Sequence, residues 1–157
     1  MPSNNQVLPS VLNRLIDVSL GDTDRRTWYS VADLIAAVRS DLEDLLNTRQ
    51  AIADLDLDYK NLADSILNYG VPDPTRFALE TPTGRRRLAS CLMAVIGCFE
   101  PRLKNVFVEP IVTNRDDKFR ELRFRVSGRL AVESAPQVVF ESTLHVPSGQ
   151  YRIEEPT

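Results

Sequence analysis

The chain has 157 residues, of which 43% are hydrophobic and 26% are charged, and its formal net charge is -3. This length fits one domain, and the balance of residue types excludes both intrinsically disordered and membrane-embedded proteins. The chain has a slight excess of acidic residues and not the excess of basic residues that is typical of nucleic-acid binders. No nucleic acid is therefore expected as a partner.

Neither a membrane span nor an export signal is visible. The longest apolar run, from Cys91 to Phe99, is interrupted by Gly97 and is far shorter than the roughly 20 residues that cross a bilayer. The first residues, Met1 to Asn5, are polar, and no cationic segment followed by an apolar core comes after them. We therefore expect a cytoplasmic protein without direct membrane insertion.

The N-terminal part of the chain divides near residue 30. Val7 to Leu20 has apolar residues at helical spacing, and a polar stretch, Gly21 to Tyr29, separates it from the next periodic segment. Residues 1–29 are therefore predicted to be either an N-terminal arm or a first helix packed on the domain. Residues 30–157 are predicted to form the domain itself.

Three further segments carry helix signals. Ser30 to Arg49 has a continuous apolar stripe, and Ser30 with Asp33 has the spacing of a capping box. Leu62 to Tyr69 predicts two helical turns that stop at Gly70. The last helix is predicted from Thr83 to Phe99, where Pro101 prevents continuation.

Beyond Pro101 the apolar period changes from helical to alternating, which predicts strands. Val106 to Val112 contains Pro110, so it is predicted to be an edge or bulged strand. Further alternating segments follow from Leu122, and the last strand is predicted at Gln150 to Glu154. The fold class is therefore α+β, with N-terminal helices packed on one face of a mainly antiparallel sheet of about four strands.

The phrase Phe99-Glu100-Pro101-Arg102-Leu103 contains a local conflict. A carboxylate at the C-terminal end of a helix meets the negative end of the helix dipole, so Glu100 should have a compensating partner. Pro101 favours an extended Glu100, which would direct Glu100 and Arg102 to the same side as a rigid contact device. The alternative is an exposed helix end with a solvated ion pair of little energetic value.

The inventory of catalytic groups is small. The single histidine is His145, and the histidine and two cysteines give no recognisable zinc pattern, so no metal, cofactor or catalytic residue is predicted. Glu100 beside an apolar residue can imitate the acid of a glycosidase. Glu109 or Asp41 can then be nominated as the second carboxylate, and the spacing selects neither.

Three arginines alternate along the predicted sheet. Arg123, Arg125 and Arg129 are expected on its solvent face. They either meet an acidic partner or form an ordinary polar surface.

Three phrases taken together resemble the TssE family of type VI secretion, which is similar to the wedge protein of contractile phage baseplates. They run from Asp41 to Arg49, from Ser65 to Asp73 and from Phe99 to Leu103. The first ends in Leu-Leu-Asn-Thr-Arg and the last contains Glu-Pro-Arg, and the likeness extends from Leu12 to Ile153.

The resemblance implies a non-enzymatic baseplate subunit that joins a wedge with TssF, TssG and TssK and contacts the sheath proteins TssB and TssC. It implies a cytoplasmic location in a Gram-negative bacterium, at a baseplate docked to the inner membrane. The partner-binding residues would then be those of the two short phrases: Asn47, Arg49, Glu100, Pro101 and Arg102.

Two alternatives stay open at this point. The sheath contact suggests strand addition to an exposed sheet edge, either Val106 to Val112 or Gln150 to Glu154. Members of this family are often labelled lysozyme-like, so the competing function is a peptidoglycan hydrolase that uses Glu100.

Overall fold

The computed structural model describes residues 30–51, 65–111, 120–132 and 136–154. Two helices and four strands form the α+β fold predicted from the sequence: α1 (Val31–Asn47), α2 (Pro82–Phe99), β1 (Leu103–Ile111), β2 (Glu121–Leu130), β3 (Gln137–His145) and β4 (Gln150–Glu154). Residues 1–29 lie outside the described residues, so the division of the chain at residue 30 stays a prediction.

Helix α1 begins where the capping box was predicted. The Ser30 hydroxyl accepts a hydrogen bond from the Asp33 N–H at 3.1 Å, and the Asp33 carboxylate accepts one from the Ser30 N–H at 3.0 Å. The apolar stripe turns inward, and its buried residues are Leu34, Ala37, Val38, Leu42, Leu45 and Leu46. Thr48 ends the helix in an extended conformation.

The helix predicted from Leu62 to Tyr69 is wrong in its described part. That part contains only a single 3-10 turn, Ile66–Asn68, and Tyr69 is already extended. The physical reason is pairing with the segment after α1, because the Val71 N–H donates to the Thr48 carbonyl at 2.9 Å. Residues 52–64 lie outside the described residues.

Gly70 is the residue at which the sequence predicted that the helical segment stops, and it makes this pairing possible. Its φ of 106° lies in the region of backbone conformation that residues with a Cβ rarely adopt. A Cβ at this position would lie 2.5 Å from the Thr48 carbonyl oxygen. The chain therefore reverses here with its backbone against the end of α1.

Helix α2 leads into β1 through a short corner, residues 100–102. Thr81 caps its first turn by accepting a hydrogen bond from the Gly84 N–H at 2.9 Å, and Pro82 occupies the first helical position. The helix ends at Phe99, as predicted, and β1 starts at Leu103. The buried residues of α2 are Gly84, Leu88, Ala89, Leu92 and Ile96.

The four strands form an antiparallel meander in the order β1-β2-β3-β4. Burial alternates along β2 and β3, so one face carries the core and the other faces solvent. β1 is an edge strand that contains Pro110, and its register with β2 shifts between Lys104 and Phe107. Of the two alternatives predicted from Pro110, an edge or a bulged strand, the edge position is confirmed. The register shift lies nearer the start of the strand and not at Pro110.

The solvent face carries a cross-strand row of charges. Arg125 lies 3.5 Å from the Glu109 carboxylate on β1 and 3.9 Å from the Glu141 carboxylate on β3. Arg123 and Arg129 are exposed on the same face, as the alternation predicted. Because these side chains are solvated, the ion pairs add little to stability.

Candidate functional site

The Glu-Pro-Arg phrase forms the corner between α2 and β1. The Glu100 N–H completes the last turn of α2 by donating to the Ile96 carbonyl at 2.9 Å, and the Glu100 carbonyl accepts from the Leu103 N–H at 3.1 Å. Glu100 is only 4% exposed, whereas Pro101 is exposed. The corner therefore turns its carboxylate inward and its proline outward.

The buried carboxylate has the compensating partner that the helix dipole predicts. Glu100 Oε1 accepts from the Arg102 N–H at 3.1 Å and from Arg102 Nε at 2.7 Å, and Arg102 Nη2 bonds the second carboxylate oxygen. This two-point arrangement is the strong form of an arginine-carboxylate pair. The solvated ion pair, the alternative left open by the sequence, is excluded for Glu100 by its burial.

Helix α1 supplies a third member of this network. Arg102 Nη2 also bonds Asp41 Oδ2 at 2.5 Å, and the side chains of Arg102 and Asp41 are 25% and 28% exposed. The hydrogen bonds to Glu100, and then those to Asp41, raise the pKa of Arg102 above its ordinary value despite partial burial. The network therefore fastens α1 to the corner between α2 and β1.

The three residues of the Glu-Pro-Arg phrase have different roles in this geometry. Glu100 has little surface left for another protein, so it positions Arg102. Pro101 and the exposed quarter of Arg102 are what the corner presents outward. From the sequence, Asp41 was nominated as a glycosidase companion and included in the first family phrase. Its place beside Arg102 was missed, because nothing in the local spacing links residues 61 positions apart.

Asn47 and Arg49, the two other predicted contact residues, hold the last strand. The Asn47 side-chain amide donates to the Tyr151 carbonyl at 2.9 Å and accepts from the Tyr151 N–H at 2.8 Å. Arg49 Nη2 donates to the Gly149 carbonyl at 2.6 Å, in the turn before β4. The Leu-Leu-Asn-Thr-Arg phrase therefore joins the end of α1 to β4 and its turn.

Replacing Asn47 by alanine is expected to loosen β4 locally. Two hydrogen bonds that are partly buried disappear, so the free energy of unfolding should fall by about 1 to 2 kcal/mol. Amide hydrogen exchange monitored by NMR should show faster exchange of the Tyr151 N–H. The Arg152 N–H is the internal reference, because its register partner is Thr143 on β3, and equal acceleration at both amides would contradict a local clamp.

Glu100 is only 4% exposed, so its carboxylate is not accessible to a polysaccharide in the part of the chain that the structure describes. A surface depression of about 530 Å³ lies instead beside β4, and its lining residues are Glu43, Asn47, Glu121, Arg123, Thr143, His145, Gln150, Tyr151, Arg152 and Glu154. Glu109, the other nominated carboxylate, lies on the solvent face of the sheet and pairs with Arg125. The described residues therefore give no support to the hydrolase alternative.

The single histidine takes part in a turn. His145 Nδ1 lies 2.8 Å from the Ser148 hydroxyl, and both residues are exposed in the β3-β4 turn. No described side chain hydrogen-bonds to His145 Nε2, so the pair lacks the orienting third group of a triad. Burial raises the pKa of the Cys91 thiol, which disfavours a reactive thiolate. Among the described residues, no cluster of potential metal ligands was found.

The fold and these contacts define a class of protein: a small α+β domain in which the motif residues fasten helices to a sheet and leave a proline corner at the surface. The family model of the baseplate wedge protein gp25 matches residues 32–135, more than half of the chain. The chain therefore belongs to the baseplate wedge protein gp25 family and is a structural baseplate component. This confirms the resemblance carried by its three phrases.

The structural comparison shows the same fold in a solved structure. The fold matches a chain described as "The baseplate complex from the type VI secretion system" with a TM-score of 0.52 and 19% sequence identity. The match covers 80% of this chain and 97% of that chain. Comparison with curated proteins gave no match. No helix in the described segments combines the length and apolar character of a membrane span.

Proposed function

We propose that the chain is a non-enzymatic subunit of a type VI secretion baseplate, assembled in the cytoplasm of a Gram-negative bacterium against the inner-membrane-docked machine. Its partners in the wedge are TssF, TssG and TssK, and it links the wedge to the sheath proteins TssB and TssC. The observation that carries this proposal is the match to the wedge family over residues 32–135. The shared fold with a type VI secretion baseplate chain supports the choice of machine.

The corner between α2 and β1 is the surface through which we place the wedge contact. Pro101 projects from it, and Arg102 is held by Glu100 and Asp41 in one orientation with part of its side chain exposed. A group fixed in this way loses little conformational entropy on binding, which favours a specific contact. Asn47 and Arg49 contribute by fixing β4 and its turn.

Changing Pro101 to lysine is expected to reduce recovery of the wedge proteins by about tenfold while the domain remains folded. The new side chain enters an exposed position, so it disturbs a docking contact more than the core. Pull-down of co-expressed TssF, TssG and TssK by the tagged chain measures this. Pro147→Lys is the matched control, because Pro147 is also exposed and lies in the β3-β4 turn.

Three results would contradict the proposal. Full recovery of the wedge proteins by Pro101→Lys would remove the corner from the interface. Absence of baseplate and sheath proteins from material co-purified with the unmodified tagged chain in its native cell would reject the assembly role itself. Cell-wall digestion by the purified chain that is abolished by Glu100→Gln would reject the non-enzymatic assignment.

A further inference from the structure

The second phrase of the family resemblance, Ser65 to Asp73, contains an exposed apolar pair. Its 3-10 turn, Ile66–Asn68, has no buried residue. Ile66 is 85% exposed and Leu67 is 44% exposed, and Phe107 on β1 is the other exposed large hydrophobic residue in the part of the chain that the structure describes. Single apolar residues on a surface are common, whereas two adjacent ones form a patch that a partner can cover.

Hydrogen bonds hold this turn beside the end of α1. The Asn68 N–H donates to the Ser65 carbonyl at 3.0 Å, and the Tyr69 N–H donates to the Ile66 carbonyl at 3.1 Å. The side-chain amide of Gln50, shortly after α1, donates to the side-chain oxygen of Asn68. The two apolar side chains are therefore presented from a fixed backbone, which reduces the conformational entropy lost on binding.

Tyr69 connects the turn to the corner between α2 and β1. Its ring packs edge-to-face on the ring of Phe99, the residue before Glu100, with 5.3 Å between the centroids. Burial raises the pKa of Tyr69, and the nearby carboxylates of Asp44, Asp41 and Glu100 raise it further. Asp41 and Glu100 belong to the corner network, so the turn and the corner are parts of one continuous surface.

Asp44 gives this surface a charge that the fold does not compensate. It is exposed in the last turn of α1, which contains no basic residue, so it meets the negative end of the helix dipole. The ion pairs among the described residues do not include it. A cation on a partner would therefore be favourable beside Asp44.

We propose that Ile66 and Leu67 are an apolar anchor that enters a concave apolar pocket of a wedge protein, and that a lysine or arginine at the rim of this pocket faces Asp44. This inference rests on the proposed function for the identity of the partner. It adds the anchor residues and the chemistry of the site that receives them.

The exposure of Ile66 argues for a concave pocket. An aliphatic side chain that projects this far from the surface is covered by a flat partner on one side only. Binding energy at interfaces is concentrated in side chains that fill well-packed pockets from which water is excluded. A pocket that surrounds Ile66 and also contacts Leu67 removes the most apolar surface from water.

The charge of Asp44 argues against a second copy of the chain as the occupant. In a two-fold pair the same patch lies on both subunits. Each Asp44 would then approach its counterpart near the centre of the contact, and like charges disfavour association. A pocket with a basic rim on a different protein fits this surface better.

Removal of the anchor is tested with the double variant Ile66→Ser and Leu67→Ser. Recovery of co-expressed TssF, TssG and TssK by the tagged full chain should fall by about tenfold or more. The midpoint of urea unfolding should not change, because both side chains are exposed. Phe107→Ser is the matched control, since Phe107 is 55% exposed on the solvent face of the sheet, and it should leave recovery unchanged.

Three results would overturn the anchor. Full recovery by the double variant, or an equal loss in Phe107→Ser, would show that the pair has no particular part in binding. A lower urea midpoint in the double variant alone would show that another segment of the same chain covers the pair. A change of the isolated chain from dimer to monomer, measured by light scattering, would assign the patch to a second copy.

The basic rim is tested by charge reversal. Asp44→Lys should lower recovery of the wedge proteins by about tenfold, because a cation then faces a cation. Glu121→Lys is the matched control, since Glu121 is an exposed carboxylate at the start of β2, and it should leave recovery unchanged. Unchanged or increased recovery by Asp44→Lys would overturn the basic rim.

Photochemical crosslinking identifies the occupant directly. The full chain with Ile66→benzoylphenylalanine, irradiated in its native cell, should form an adduct with TssF, TssG or TssK. An adduct with a second copy, or a crosslink within the chain itself, in place of a wedge adduct would overturn the anchor.

Failure of the anchor is distinguishable from failure of the proposed function. If the unmodified chain and the double variant recover the wedge proteins equally, the anchor is wrong and the assembly role stands. If the unmodified chain recovers none of them, the proposed function is wrong, and the anchor loses its partner with it.

Discussion

Replacing Arg102 by methionine should lower the free energy of unfolding by about 3 kcal/mol. Methionine keeps an unbranched apolar stem but removes all the hydrogen bonds that Arg102 side-chain nitrogens make to Glu100 and Asp41. Glu100, only 4% exposed at the C-terminal end of α2, then keeps a buried charge without its partner, which is the expensive way to break an ion pair. Urea unfolding, read as a change in midpoint at constant slope, measures the loss.

Two further variants separate this cause from a general effect of losing an arginine. Combining Arg102→Met with Glu100→Gln should recover about 1 kcal/mol or more, because the uncompensated charge is then gone. Arg123→Met, at an exposed arginine of the sheet, should change stability by no more than about 0.5 kcal/mol. Equal losses in Arg102→Met and Arg123→Met would show that the corner network is an ordinary surface ion pair.

This prediction changes how the Glu-Pro-Arg phrase should be tested for binding. A variant of Glu100 or Arg102 that recovers less wedge protein can do so because the domain is unfolded. Pro101 avoids this ambiguity, because its side chain is exposed and makes none of the polar contacts of the network. Loss of binding in Pro101→Lys with unchanged stability is therefore the result that identifies a docking surface.

Local rules in the sequence predicted most of the elements. Ser30 and Asp33 marked the start of α1, and Pro101 marked the end of α2, because caps and prolines act within one turn of the chain. Alternating apolar residues after a turn signal placed the last strand at Gln150–Glu154, the bounds observed for β4. Pro110 predicted that β1 is an edge or bulged strand, because proline cannot donate to a strand ladder, and β1 is an edge strand.

The functional geometry could not be predicted in the same way, because it depends on contacts distant in sequence. Asp41 reaches Arg102 across 61 positions, and Asn47 reaches Tyr151 across 104. The phrase Leu-Leu-Asn-Thr-Arg indicated that Asn47 and Arg49 mattered, but not that they bond the backbone of β4 and its turn. Only the packing of α1 on the sheet brings these groups together.

Gly84 is a second example of a contact that the sequence does not predict. Its position in the first turn of α2 gives no warning in the sequence, yet a Cβ there would come within 2.1 Å of the Ala78 carbonyl oxygen and 2.8 Å of the Phe77 carbonyl oxygen. Both obstacles are backbone atoms, so the start of the helix would have to move. Gly84→Ala should therefore lower the free energy of unfolding by about 2 to 3 kcal/mol.

The same helix supplies the opposite case at Gly97. This residue is exposed, and a Cβ there would meet nothing within 4 Å, so Gly97→Ala should raise the free energy of unfolding by roughly 0.5 to 1 kcal/mol through helix propensity alone. Urea unfolding of the two variants should give changes of opposite sign. Stabilisation by Gly84→Ala would show that α2 can shift its first turn freely. Destabilisation by Gly84→Ala would show that close backbone packing at Gly84 fixes the start of α2. The position of this helix in turn sets where Glu100, at its C-terminal end, holds Arg102.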